Sequence, residues 1–389
     1  MVPKECIHIV PALPPQAGDV GEYALNLGLH LRQLHGIKSQ FIVCDPDWRG
    51  PSHINGFAVR SLRLRKEPGI WAILASAKEK YAAVLLHYAA YGYNKLGVPL
   101  WLYRGIQSWL EDNNDRTGAS LKQFCTVFHD GWAPAAKPWK TEFYLQKLRR
   151  SVVRGLHRRS KISVTSTRRM QALLDNIQPH KTLWLPVPSN IPTIERTKTG
   201  GGRNTRLRVA IYGGQESRSA TVRAHANLLR TLDEKNLLGD AMLFGEETVD
   251  SESQACDLGF LRTVISRGRV EVLGGLNPEK VSEMLGCADI FLSHLSGQFA
   301  CRSSAFMAAL AARCPAVLHD GENAAPLHES EHFIASDDSQ ASVQRFERVS
   351  ADGQLDRVAT AGRLWYERYA DWNVITRKYQ EAFSQDANL

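Results

Sequence analysis

The chain has 389 residues, more than one hydrophobic core organises, so two domains are expected. It is 43% hydrophobic and 23% charged, which excludes a disordered or fibrous protein, and no run approaches the roughly 18 apolar residues of a spanning helix. A formal net charge of +8 is unevenly distributed along the chain, and the singly scattered cysteines, with no CxxC pair, indicate neither zinc nor a disulfide framework.

Short β-rich runs alternate with helical patterns, the signature of parallel sheets with crossover helices. The N-terminus runs from Met1 to Cys6 straight into a strand without a signal-peptide layout, so a reducing cytoplasm is the expected compartment. In the first half, strands are predicted at 6–11, 40–44, 83–87, 124–128, 162–165 and 182–185. The clearest helix is Val20–Leu34, with Tyr23, Leu27, Leu31 and Leu34 along one side.

The first strand ends in a loop from Pro11 to Tyr23. Gly18 and Gly21 straddle a helix start there, where backbone amides can approach a phosphate. The plain alternative is a glycine turn with Asp19 as N-cap. Gly18-Asp19-Val20-Gly21 is not GxGxxG, and no GxxxxGK[ST] loop occurs, so dinucleotide and ATP-hydrolysis readings are weak. His87-Tyr88 closes a third strand. Phe128-His129-Asp130-Gly131-Trp132 closes a fourth. There His129 can hold a hydroxyl or support charge, with Asp130 orienting it, unless it is a buried structural histidine.

Two basic clusters account for much of the charge. Arg60, Arg63, Arg65 and Lys66 precede an apolar run containing Trp71. From Lys137 to Arg169 there are eleven Lys/Arg (137, 140, 147, 149, 150, 154, 158, 159, 161, 168, 169) against a single acid, Glu142. Phe143, Tyr144, Leu145, Leu148, Val152, Val153 and Leu156 recur there at helical spacing, giving an amphipathic helix with a basic exposed side. Such a face is either simply solvated or attracted to anionic lipid. Nucleic acid is disfavoured, because neither an aromatic strand platform nor a helix-turn-helix pattern is present.

After a Pro-rich turn at 186–192, Thr197 to Gly202 with its glycine triplet reads as a linker. The pattern then restarts, with strands predicted at 208–212, 241–244, 270–273, 289–293, 315–318 and 332–335. Both halves read as doubly wound α/β units, whose strand-end loops carry ligands. Tyr212-Gly213-Gly214-Gln215-Glu216-Ser217-Arg218 places a glycine turn before an arginine, and Gly274-Gly275-Leu276 ends another strand. Phe291 to His294 leads through Gln298 into Arg302-Ser303-Ser304 and an Ala-rich helix from Ala305 to Ala312. Free amides at that helix start, two hydroxyls and a guanidinium form a phosphate or diphosphate pocket, with Arg218 as the second clamp. The tail from Gly362 to Phe383 reads as one helix whose aromatics are core.

Taken in order, these motifs resemble a GT-B-fold glycosyltransferase of the broad family 4. They are the Pro14-Pro15 to Tyr23 loop, the His129 loop, Leu185 to Asn190, Tyr212-Gly213-Gly214, Val272 to Leu276, and Arg302 to Val317, followed by a tail with Trp372. The resemblance implies two Rossmann-like domains facing across a cleft: an acceptor-side domain at 1–196, a linker at 197–205, a nucleotide-sugar domain at 206–361, and a tail helix at 362–389 returning to the first. It implies transfer of a hexose, glucose in the first instance, from a nucleotide diphosphate sugar such as a UDP-sugar. The acceptor would be a glycan or lipid-linked oligosaccharide in polysaccharide synthesis.

Carried onto these positions, the donor contacts are Gly18, Gly214, Arg218, Leu276, Gln298, Arg302, Ser303, Ser304 and Ala305. His129 and Asp130 are catalytic, and Asp19, Tyr23 and His87 face the acceptor. No metal ligand or resident cofactor is expected. The inner face of an anionic membrane is a candidate partner of an otherwise cytoplasmic enzyme. Family 4 enzymes commonly carry two glutamates eight positions apart, where this chain has Ala300 and Ala308. That departure keeps a non-catalytic nucleotide-sugar-binding relative as an alternative; a nucleotide-sugar epimerase is the other, although it usually needs acidic groups in the cleft, which are scarce here.

Overall fold

A computed structural model describes residues 3–16, 18–76, 83–112, 123–129, 141–193, 206–245 and 251–384. Two compact units result: Met1–Leu185 together with Trp372–Leu389, and Pro186–Asp371. Asp130 and the linker at 197–205 lie outside the described residues.

The first unit opens with β1 (Glu5–Val10), α1 (Asp19–His35), β2 (Lys38–Val43), β3 (His53–Ile54), β4 (Phe57–Ser61) and α2 (Glu67–Ala75). It continues through β5 (Ala83–Tyr88), α3 (Ala90–Tyr93), α4 (Leu100–Glu111), β6 (Gln123–Phe128) and α5 (Thr141–Arg159). Then come β7 (Ile162–Thr165), α6 (Arg168–Asp175) and β8 (Thr182–Trp184). Among the described residues its eight strands run β3-β4-β2-β1-β5-β6-β7-β8, parallel except for the short β3–β4 hairpin. That hairpin was not expected. Asn55 and Gly56 both take positive φ (51° and 78°) at its turn, the backbone that an Asn-Gly pair favours.

Nearly every residue of β1 and β5 is buried, as a strand covered on both faces requires. One face packs Ile7, Ile9, Val84 and Leu86 against α2, α4, α5 and α6. The period-2 alternation sends His8 and His87 to the other face, with Ser39 and Phe41. There α1 and the last helix of the chain pack together.

The expected amphipathic stretch is α5, but its faces are not those the periodicity suggests. Val152, Val153 and Leu156 are buried as expected, whereas Phe143, Tyr144 and Leu148 are exposed. Arg149, counted with the basic surface, is buried and donates from Nε and Nη2 to Leu96 O at 3.2 and 2.7 Å. Periodicity defines a stripe, and a single buried arginine with a carbonyl to satisfy rotates which part of it meets the core.

The second unit contains β9 (Leu207–Tyr212), α7 (Gln215–Ala224), α8 (Ala226–Glu234), β10 (Leu238–Gly245) and α9 (Ser251–Val264). Next are β11 (Arg269–Gly275), α10 (Pro278–Cys287), β12 (Ile290–Ser293), α11 (Gly297–Ala300) and α12 (Ser304–Ala311). It ends with β13 (Ala316–Leu318), β14 (Ile334–Ala335), α13 (Gln340–Ala351) and α14 (Gln354–Tyr369). The sheet runs β11-β10-β9-β12-β13-β14 and is parallel throughout among the described residues. Val209, Ile211, Leu243, Ile290 and Leu292 form its apolar centre.

The tail is two helices, not the one expected. After α14 the amides of Ala370 and Asp371 converge on Tyr366 O at 2.8 and 2.9 Å, which ends the helix. α15 (Trp372–Ser384) then starts and belongs to the first unit. Trp365 and Tyr366 are buried in the second unit, and Trp372 and Tyr379 in the first, while Tyr369 is 37% exposed. No proline or glycine marks the break, so sequence pattern did not show it.

Candidate functional site

In the second unit the strand order reverses between β9 and β12, and ligands of such sheets sit beyond the carboxyl ends of the strands at that point. β9 delivers Gly213 and Gly214 there. Gly213 has φ 147° and Gly214 caps α7 without a side chain. Gly245, at the end of neighbouring β10, has φ 145°. A Cβ on it would sit 2.1 Å from Gly213 O, so the two strand ends touch through their backbones. Gly274, with φ 64°, lies where the β10–β11 register shifts, and Leu276 follows half-buried.

β12 delivers Ser293 and His294, then the short α11 and the Cys301–Ser303 turn. Ser303 caps α12, its Oγ accepting from Phe306 N at 3.2 Å, which leaves its hydroxyl hydrogen to give. The Ser304 and Ala305 amides lie in the first turn, where the helix offers them no carbonyl. Arg302 is exposed, its guanidinium carbon 5.9 Å from the Phe299 ring centre, and Gln298 is half-buried. The chain therefore brings Gly214, Arg302, Ser303, Ser304 and Ala305 to the loops after two adjacent strands.

Arg218 sits differently from the expectation. It is buried, and Nη1 donates to Gly213 O at 2.6 Å, so the guanidinium braces the glycine turn from below. Sequence alone could not separate a bracing arginine from a clamping one, because both stand one turn into the helix.

Sequence reasoning did not single out Thr221, His225 or Asp320. Thr221 Oγ1 lies 3.1 Å from His294 Nδ1, and His225 Nε2 donates to Ser293 O at 2.9 Å. Burial pushes the His225 imidazole down to about 4, against the pull of that carbonyl. Asp320 accepts from Ser296 Oγ at 2.8 Å, Gly297 N at 3.2 Å and Glu322 N at 2.9 Å, tying the loop after β12 to the loop after β13. A polar pair after each strand, Ser293-His294 and His319-Asp320, was the available signal.

Ala300 and Ala308, standing where the resemblance places glutamates, are both buried. Neither position presents a carboxylate.

In the first unit the order reverses between β1 and β5. The loop after β1 is held by Trp48 Nε1 donating to Leu13 O at 2.7 Å. Gly18 is exposed and extended (φ 168°), with nothing within 4 Å of a built Cβ, so its backbone does not demand glycine. Gly21 does demand it, since a Cβ there would lie 2.5 Å from Ala12 O. Gly18, not Asp19, occupies the N-cap of α1. Asp19 is exposed at the first helical position.

His87 and Tyr23 lie inside. His87 is fully buried, and the Tyr23 hydroxyl pairs with Tyr379 at 3.0 Å. The Tyr23 ring stands edge-on to His87 and His129, at 5.9 and 5.3 Å between centres. Three histidines form a line: His8 Nδ1 to His87 Nε2 at 3.1 Å, and His87 Nδ1 to His129 Nε2 at 3.2 Å. Ser39 Oγ closes the inner end, 3.1 Å from His8 Nε2. Burial holds the His8 imidazole at about 3, and His87 well below its ordinary value. His8 went unnoticed as one polar residue in an apolar strand.

Among the described residues, no group of three or more His, Cys, Asp or Glu could hold a metal ion, and no helix is long and apolar enough to cross a membrane.

No protein-family model matches the chain, and no curated protein matches its sequence. Solved structures do match. A glycosyltransferase from Rickettsia africae superposes with a TM-score of 0.66 at 11% identity, covering 98% of each chain. Anabaena HepE, in complex with UDP and glucose, gives 0.65 at 12% identity, over 99% of this chain and all of its own. WaaG, a glycosyltransferase involved in lipopolysaccharide biosynthesis, gives 0.60 at 14%, over 98% of this chain and 100% of its own. The fold is GT-B. At these identities the likeness is one of fold, and it agrees with the family 4 resemblance of the motifs.

Proposed function

We propose that this chain is a retaining glycosyltransferase that moves a hexose, glucose in the first instance, from a UDP-sugar to a glycan or lipid-linked oligosaccharide acceptor in polysaccharide synthesis. The observation that carries the reading is the convergence of the Gly213-Gly214 turn with Arg302, Ser303 and the first-turn amides of α12 at the β9/β12 reversal. The fold supports it, since HepE has been solved with UDP-glucose and TarM of S. aureus with UDP.

When the bond from the anomeric carbon to the diphosphate breaks, negative charge grows on the phosphate oxygens. The Ser303 hydroxyl and the Ser304 and Ala305 amides are held in place by the start of α12, and together with the Arg302 guanidinium they stabilise that charge. Arg218 acts through the Gly213 carbonyl, keeping the turn in place for the nucleotide. We assign His129 to a sugar oxygen and the first unit to the acceptor. Such a site needs no divalent ion, so turnover is expected to be unchanged by EDTA.

Lipid-linked acceptors suit the surface of α5. Phe143, Tyr144 and Leu148 are exposed beside exposed Lys147, with Tyr91 and Leu96 also exposed. We propose that this face touches an anionic membrane.

Calorimetric titration with UDP, GDP, ADP and their glucose conjugates, followed by a donor-hydrolysis assay, tests the reading. UDP-glucose binding with UDP release supports it. Unchanged nucleotide binding by Arg302→Ala would refute the assigned pocket. One observation favours a second reading, a nucleotide-sugar binder without turnover: neither Ala300 nor Ala308 supplies a carboxylate. Binding without UDP release for any acceptor would decide for it.

A further inference from the structure

Three neighbouring strands of the first unit each bring a histidine to one line, and the line has a direction. Ser39 is buried, and its hydroxyl has His8 Nε2 as its hydrogen-bond partner. A hydroxyl hydrogen shut away from water must be given to an acceptor, so Ser39 donates and His8 Nε2 accepts. A neutral imidazole that accepts at one nitrogen carries its hydrogen on the other. His8 therefore donates from Nδ1 to His87 Nε2, and His87 in turn donates from Nδ1 to His129 Nε2. The ring centres are 5.3 and 5.4 Å apart, nearly the full span of two ring radii plus the nitrogen contact, and the planes differ by only 16° and 23°, so each nitrogen pair meets close to the ring planes. Phe41 stacks on His8 at 4.8 Å between ring centres, and the Tyr23 ring stands edge-on to His87 and His129.

We infer that Ser39, His8 and His87 are positioning residues that place the ring hydrogen of His129 on Nδ1, the nitrogen that then donates a hydrogen bond to substrate oxygen. This rests on the transfer reading above for the identity of that oxygen, a sugar hydroxyl. Adding a proton at His129 Nε2 would set two N–H groups head to head with His87. Relieving that would require both His87 and His8 to move their hydrogens from Nδ1 to Nε2 and leave the Ser39 hydroxyl without an acceptor. The dry surroundings act in the same direction, since His8 and His87 are held neutral by burial.

Ring-nitrogen NMR of the full-length protein, labelled with 15N-histidine and free of any donor, reads the hydrogen positions directly. The expected result is Nδ1–H for His8, His87 and His129. An Nε2–H form of any of the three overturns the inference. Ser39→Ala removes the inner donor and is expected to leave His129 a mixture of both forms. It should also lower kcat on the order of tenfold at unchanged KM for the donor, as loss of an outer supporting partner does. Ser39→Thr keeps the hydroxyl and is expected to restore both. A Ser39→Ala protein with an unaltered His129 spectrum would overturn the chain of control. The wild-type spectrum needs no variant to fold, and it is taken without nucleotide. Failure of the relay and failure of the transferase reading are therefore told apart by comparing it with the nucleotide titration.

Discussion

The two units share a parallel sheet with one reversal of strand order, yet they furnish that reversal with different chemistry. The second unit offers backbone: three positive-φ glycines (Gly213, Gly245 and Gly274), two helix starts, and cations at their edges. The first offers side chains, a line of imidazoles ending at half-buried His129, with His8 and His87 kept dry on the face where α1 and α15 pack. Main-chain amides suit an anion of fixed charge, whatever the rest of the molecule carries. Ring nitrogens suit neutral oxygens, where the placement of one hydrogen decides what is held.

Four experiments test that contrast, in falling order of effect. Gly245→Ala puts a methyl against the Gly213 carbonyl at a φ that alanine resists, and should cost about 4 kcal/mol of second-unit stability. Denaturant unfolding would show it, and a loss below about 1 kcal/mol would mean the strand ends can part. Arg302→Ala should reduce kcat/KM for the donor about a hundredfold, near 3 kcal/mol, with the fold unchanged by circular dichroism.

The third concerns pH and the first unit. His8 has a folded pKa pushed down to about 3, below its unfolded value. Its neutral form is favoured by folding, so the contribution is complete above about pH 6.5 and is lost as pH falls below that, toward pH 3. At pH 5 the loss is about 2 kcal/mol for this ring. His8→Gln should flatten the denaturation midpoint between pH 6.5 and 5, and an equally steep profile would place the protonation elsewhere. The smallest effect belongs to the surface. Tyr144→Ala with Lys147→Ala should weaken binding to anionic vesicles by about 1–2 kcal/mol in a sedimentation assay, while neutral vesicles bind neither protein.

Much of this was legible in the chain itself, for reasons that differ by element. Parallel strands covered on both faces are near-continuous apolar runs, so those around Ile9, Leu86, Val164, Ile211 and Leu292 stood out within a few residues of their observed bounds. The glycine turns and the Arg302-Ser303-Ser304 loop were legible because helix starts use few residue types. What sequence did not carry was partnership. Arg149 read as a surface cation and Arg218 as a phosphate clamp, but each meets a carbonyl in the interior. His8, His87 and His129 are 79 and 42 residues apart along the chain, and only the strand order β1-β5-β6 makes them neighbours.

Because Trp372–Leu389 completes the first unit, that unit is interrupted in sequence by all of the second. On a ribosome, which releases the chain from its N-terminus, the interrupting unit is whole before α15 emerges. Until then the cover that Trp372 and Tyr379 supply over Tyr23 is missing. The imidazole line thus acquires its dry environment last, as a late step of biogenesis, and a nascent chain stalled just after Asp371 would hold one finished lobe and one still open to water.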